Sequence, residues 1–116
     1  MSEQDIEEAK LPGELACSFS EANGASLLYA SGDVASKTAA QGVVKFRGGA
    51  QRVAAPGGFN GMTRGGSFTG TDLSVELAIT GATTGGGESP AFPATASFVR
   101  NGGERQTLQG TWRCGP

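Results

Sequence analysis

Histidine is absent from the 116 residues of this chain, and that limits what its side chains can do. Without imidazole there is no Ser-His-Asp or Cys-His arrangement, and the commonest general base is missing. Beyond the first ten residues the carboxylates are Glu14, Glu21, Asp33, Asp72, Glu76, Glu88 and Glu104. They are dispersed beside turns or at outward strand positions, whereas glycoside hydrolysis needs two of them flanking a cleft. Each reads as a solvated surface group. Two cysteines alone cannot complete a tetrahedral metal site. The glycine-rich segments 56–66 and 81–90 lack the Gly-Lys-Ser/Thr signature and do not lie between a strand and a helix, so neither is a phosphate cradle. The expectation is a protein that is not an enzyme and uses no metal or cofactor.

Three groups of residues remain with chemistry to offer. Cys17 shares a strand face with Leu15 and Phe19, and Cys114 shares one with Trp112. Both thiols therefore point into a core from the first and last strands. If those strands are neighbours, a disulfide closes nearly the whole chain and implies an oxidising compartment. The alternative is a pair of buried, reduced cysteines in a cytosolic domain. Lys45, Arg47 and Arg52 form a basic group on the outer face of one hairpin. It reads either as a site for an anion or an acidic partner, or as long side chains splaying into water near Glu76. Finally, Phe59, Met62 and Arg64 lie in the glycine-rich loop 56–66. Such a loop can present an aromatic and a methionine to a partner, or fold them back as a plug over one end of a barrel.

The elements that must position these groups are strands. In 92–114 two long strands join at Asn101-Gly102-Gly103. With that three-residue loop, Phe98 faces Gln106, Ala96 faces Leu108, Ala94 faces Gly110 and Phe92 faces Trp112 on the buried side. Val99:Arg105, Ser97:Thr107, Thr95:Gln109 and Pro93:Thr111 face water. A one-residue slip would mix the faces. Gly103 can take the left-handed conformation that such a loop requires. Residues 41–54 read as a second hairpin turning at Gly48-Gly49, which sets Phe46 opposite Gln51, Val44 opposite Val53 and Lys45 opposite Arg52. Strands are also expected at about 14–19, 25–30, 66–71 and 72–80. In the last of these, Leu73, Val75, Leu77 and Ile79 alternate with polar or small residues. Asn23, Asn60 and Asn101 each precede glycine, a strong turn signal. Residues 31–40 carry no clear pattern. The total of roughly eight antiparallel strands, tied first to last, predicts an all-β domain: a closed or nearly closed barrel first, a sandwich second.

Charge and length complete the outline. The chain is long enough for one domain. Glu3, Asp5, Glu7, Glu8 and Lys10 make the first ten residues net −3, so a total of −2 leaves the body at +1. Residues 1–13 read as an acidic tether and 14–116 as the folded domain. A nearly neutral body argues against nucleic-acid binding, and no run approaches the roughly 20 apolar residues of a membrane helix. The opening Met1-Ser2-Glu3-Gln4-Asp5 is no export signal. The expectation is therefore a periplasmic or secreted protein whose signal was removed, with a lipid anchor ahead of the tether as a further possibility.

The ending Gly-Thr-Trp-Arg-Cys-Gly-Pro (110–116), with Cys17 early, resembles small bacterial secreted proteins and lipoproteins that bring no known activity with them. The resemblance covers about 14–116. A fold analogy also exists to the membrane-bound lysozyme inhibitors, small disulfide-linked β-barrels whose inhibitory loop carries Ser-Gly-x-x-Tyr. Here Ser31-Gly32 is followed by Asp33-Val34-Ala35 and Tyr29 comes before the pair, so that loop is not carried over. The leading functional expectation is a monomeric, non-enzymatic cell-envelope domain that binds a protein or cell-wall partner through its loops. The alternative is an inhibitor of a secreted hydrolase such as lysozyme.

Overall fold

The computed structural model describes residues 11, 13, 15–21, 26–33, 38–46, 49–82, 91–100, 103 and 105–115. The tether 1–10, the turn at Asn23-Gly24, Asn101-Gly102 and most of 81–90 lie outside them. Eight strands run β1 (Leu15–Glu21), β2 (Ser26–Gly32), β3 (Ala40–Phe46), β4 (Gly49–Ala55), β5 (Gly65–Thr69), β6 (Leu73–Ile79), β7 (Ala91–Arg100) and β8 (Arg105–Gly115). One short helix, α1 (Gly58–Met62), lies between β4 and β5. Each strand pairs antiparallel with the next, and β8 pairs back onto β1 to close the barrel. The seam between β4 and β5 is the thinnest, a single pair, Ala54 opposite Thr69.

The β7–β8 register is the one the alternation demands: Phe98 opposite Gln106, Ala96 opposite Leu108, Ala94 opposite Gly110 and Phe92 opposite Trp112. Gly103 adopts φ 95° and its N–H donates to Arg100 O at 3.1 Å, which closes the loop. The β3–β4 hairpin differs from expectation. Phe46 pairs with Gly49, Val44 with Gln51, Lys45 with Ala50 and Val43 with Arg52. The innermost pair is therefore Phe46:Gly49, and the register has moved by two residues. An even shift preserves both faces, and it removes the like-charge Lys45:Arg52 pairing. Within 31–40, Ser31 and Gly32 end β2 and Ala40 begins β3, while 34–37 lie outside the described residues. Asn60-Gly61 makes no hairpin turn but lies in α1, where Gly61 N–H donates to Gly57 O at 3.0 Å.

The inward phase of the strands carries the core. Trp112, Phe19, Phe68, Phe98, Leu28, Val44 and Val75 are fully buried, and Phe68 meets Trp112 edge-on with ring centroids 5.7 Å apart. Small residues make room for them. A Cβ at Gly110 would strike Ser20 O and come within 2.9 Å of Phe19 Cζ, so glycine there lets the Phe19 ring seat. The outward phase of β5–β8 is hydroxyl-rich: Ser67 Oγ donates to Glu76 Oε2 at 2.7 Å, and the Ser97 and Thr107 hydroxyls pair at 3.0 Å. An apolar interior and polar exterior reverse the pattern of a lipid-spanning barrel. Among the described residues, no helix is long and apolar enough to cross a membrane.

Candidate functional site

The two ends of the barrel are unlike. At one end the connections are short: 22–25, 47–48, 70–72 and 101–104. At the other lie the longer connections 33–39, 56–64 and 80–90. Longer loops on a rigid frame are where binding groups concentrate, and this end is rigid for two reasons. Cys17 and Cys114 face each other across β1 and β8 and are bonded, with Cα atoms 4.0 Å apart and a separation of 97 positions in sequence. Beside them, α1 folds into the barrel mouth.

That helix settles the reading of the 56–66 loop. Met62 is fully buried and Phe59 is only 9% exposed; both belong to the core cluster. The Trp112 indole N–H donates to Met62 O at 3.0 Å, and Phe59 N–H donates to Asp33 O at 3.2 Å. A Cβ on Gly32 would lie 2.6 Å from Phe59 N, so the β2 end accepts the helix only through a glycine. Phe59 and Met62 are therefore a plug and are not presented to a partner. Of the three loop candidates only Arg64 is exposed. It borders a 660 Å³ depression lined by Leu77, Ala78, Ile79 and Phe92. The Ser31-Gly32 pair is buried against this plug, the opposite of a presented inhibitory loop.

The basic group is rearranged. Lys45 and Arg52 both lie on the outward face, diagonal to each other, while Arg47 falls outside the described residues. The register places Arg52 at the end of a row that crosses five strands: Arg113 opposite Ser18, Ser18 opposite Tyr29, Tyr29 opposite Val43 and Val43 opposite Arg52. A depression of 190 Å³ lies among Tyr29, Arg113, Ala16, Ser18 and Gly115; another, of 320 Å³, is bordered by Ser31, Asp33, Gln41 and Arg52.

Comparisons with protein-family models, curated proteins and solved structures return no match to this chain.

Sequence reasoning located Arg64, the bridge and two cations of the basic group. It missed Ile79, Phe92, Tyr29 and Arg113 as surface features. Arg113 had an available signal: bonding Cys17 to Cys114 in directly opposed positions sets Ser18 against Arg113. Ile79 and Phe92 had none, because both alternate as core residues and lose part of their cover only at the barrel mouth.

Proposed function

We propose that this protein is a non-enzymatic β-barrel module of the bacterial cell envelope that docks a protein or cell-wall partner through its loop-bearing end. The observation that carries the reading is Arg64, an exposed guanidinium beside the depression of Leu77, Ile79 and Phe92, at the end stiffened by plug and bridge. An apolar hollow with one exposed cation at its border suits a partner group that joins an apolar side chain to a carboxylate, since guanidinium pairs with carboxylate through two parallel hydrogen bonds. The Cys17–Cys114 bond supports an oxidising compartment, and with it the envelope.

The test passes a solubilised envelope fraction over immobilised wild type, Arg64→Glu and Thr107→Asp, the last altering the opposite region of the surface. A species retained by wild type and Thr107→Asp but lost from Arg64→Glu is expected. Equal retention by all three would remove the reading. Inhibition of a secreted hydrolase is a special case of the same docking, and it predicts slowed lysis of a cell-wall suspension by lysozyme when the protein is in excess.

A further inference from the structure

We infer that the depression bordered by Arg113, Ser18 and Tyr29 is a binding site for a phosphate monoester. It lies on the outer wall of the barrel, apart from the Arg64 depression, and does not depend on the docking described above.

Three adjacent strands build this site, so its groups stay on one part of the wall. Arg113 on β8 stands directly opposite Ser18 on β1, and Ser18 stands directly opposite Tyr29 on β2. Neighbouring strands lie about 4.8 Å apart, which puts the Arg113 and Tyr29 backbones roughly 10 Å from each other with Ser18 midway. The two long side chains and the short one border a single hollow of 190 Å³. Ala16 and Gly115, an opposed pair one outward row along, keep its floor low because neither reaches beyond a methyl group. Arg113 is exposed, while Ser18 and Tyr29 are half-buried. The Cys17–Cys114 bond ties β1 to β8 at the adjoining pair, so Ser18 and Arg113 are held in register before any ligand arrives. Preorganisation of this kind lowers the ordering cost of binding.

The polar groups here call for an acceptor. A guanidinium only donates, and both hydroxyls can donate as well. Among the described residues no carboxylate borders the hollow, and none of the three side chains holds a hydrogen bond or ion pair. A phosphate monoester carries a charge of about −1.5 to −2 and three acceptor oxygens, one for each donor side chain. A carboxylate has two oxygens, and the guanidinium fork satisfies both by itself, which would leave Ser18 and Tyr29 unused. Nucleic acid rewards many cations with loss of counterions, and this hollow has one. Its 190 Å³ equals the space of about six waters. That is room for one phosphate group and part of what it esterifies.

Inorganic phosphate is the first probe, titrated into the isotope-labelled full chain at constant ionic strength, with acetate as the planar control. Saturable shifts of the Ser18, Tyr29 and Arg113 amide resonances are expected with phosphate and not with acetate. Arg113→Gln should weaken binding by about tenfold or more, and Arg113→Lys by less, since it keeps the charge and loses the fork. Tyr29→Phe and Ser18→Ala, each removing one hydroxyl, should weaken it by about three- to tenfold. Arg105→Gln alters an exposed cation at the far end of β8 and should change nothing, which separates a site from bulk charge attraction. Two further probes identify the source: glycerol 2-phosphate for a soluble ester, and phosphatidylcholine vesicles carrying phosphatidic acid for a lipid headgroup. Cosedimentation with those vesicles, lost in Arg113→Gln, marks the lipid; binding of glycerol 2-phosphate without it marks a soluble ester. Binding of neither ester would overturn the inference. So would no shift with phosphate, equal shifts with acetate, or undiminished binding by folded Arg113→Gln or by both hydroxyl variants.

Discussion

Phe98 and Thr107 are close in space on the β7–β8 hairpin and belong to opposite faces. Phe98 is fully buried in the barrel, and an aspartate in its place would put an uncompensated carboxylate into the apolar core beside Val75. Phe98→Asp should lose more than about 4 kcal/mol, enough to unfold the domain. Thr107 is exposed and bonds only to the Ser97 hydroxyl among the described residues, so Thr107→Asp should stay within about 1 kcal/mol of wild type. Urea melts of the two variants check this, and comparable losses would mean that the faces are wrongly assigned. This much was legible from the alternation in 92–112, because a strand's period of two leaves a single register that keeps aromatics inside and threonines outside. At Lys45 and Arg52 the same logic was insufficient. A two-residue shift leaves both faces intact, and a glycine pair offers more than one place to turn.

The element that most shapes the candidate site is α1, five residues long and far too short to hold as a helix alone. Its stability comes from what it buries. Met62→Ala should cost about 2–5 kcal/mol, in the range of large-to-small core changes. Trp112→Phe keeps most of the ring but removes the donor to Met62 O, leaving a buried carbonyl unsatisfied at a cost of about 1–3 kcal/mol. The bond is to the Met62 backbone, so Met62→Ala leaves its acceptor in place and separates the buried side chain from the hydrogen bond. Equilibrium unfolding of the two variants measures each contribution. A Trp112→Phe protein as stable as wild type would mean that the indole donor does not hold the plug.

At the scale of the molecule, closure is the defining feature. The bridge joins β1 to β8 and spans almost the entire chain, so it constrains the unfolded state about as strongly as one disulfide can. The loop-entropy account puts its contribution at about 4–5 kcal/mol. For a domain of this size, reduction or the Cys17→Ser/Cys114→Ser pair should lower the melting temperature by roughly 20–35 °C. Intact mass with and without reductant, followed by thermal melts, tests both halves of the statement. Indistinguishable melts would show that strand pairing between β1 and β8 closes the barrel without covalent help.

The amino-acid sequence by itself determined the strands, their inward faces, the pairing of the last hairpin and the shared burial of Cys17 and Cys114. All of these follow from short-range rules: alternation, glycine at turns, and the cost of an apolar side chain in water. The tertiary structure alone decided what depends on residues distant in the chain. Whether Phe59 and Met62 face a partner or the core turned on the space left at one barrel mouth beneath Trp112. No local pattern encodes that space. The neighbourhood of Arg113 and Tyr29 likewise exists only after closure, because the two come from strands near opposite ends of the chain and line one depression when β8 pairs with β1.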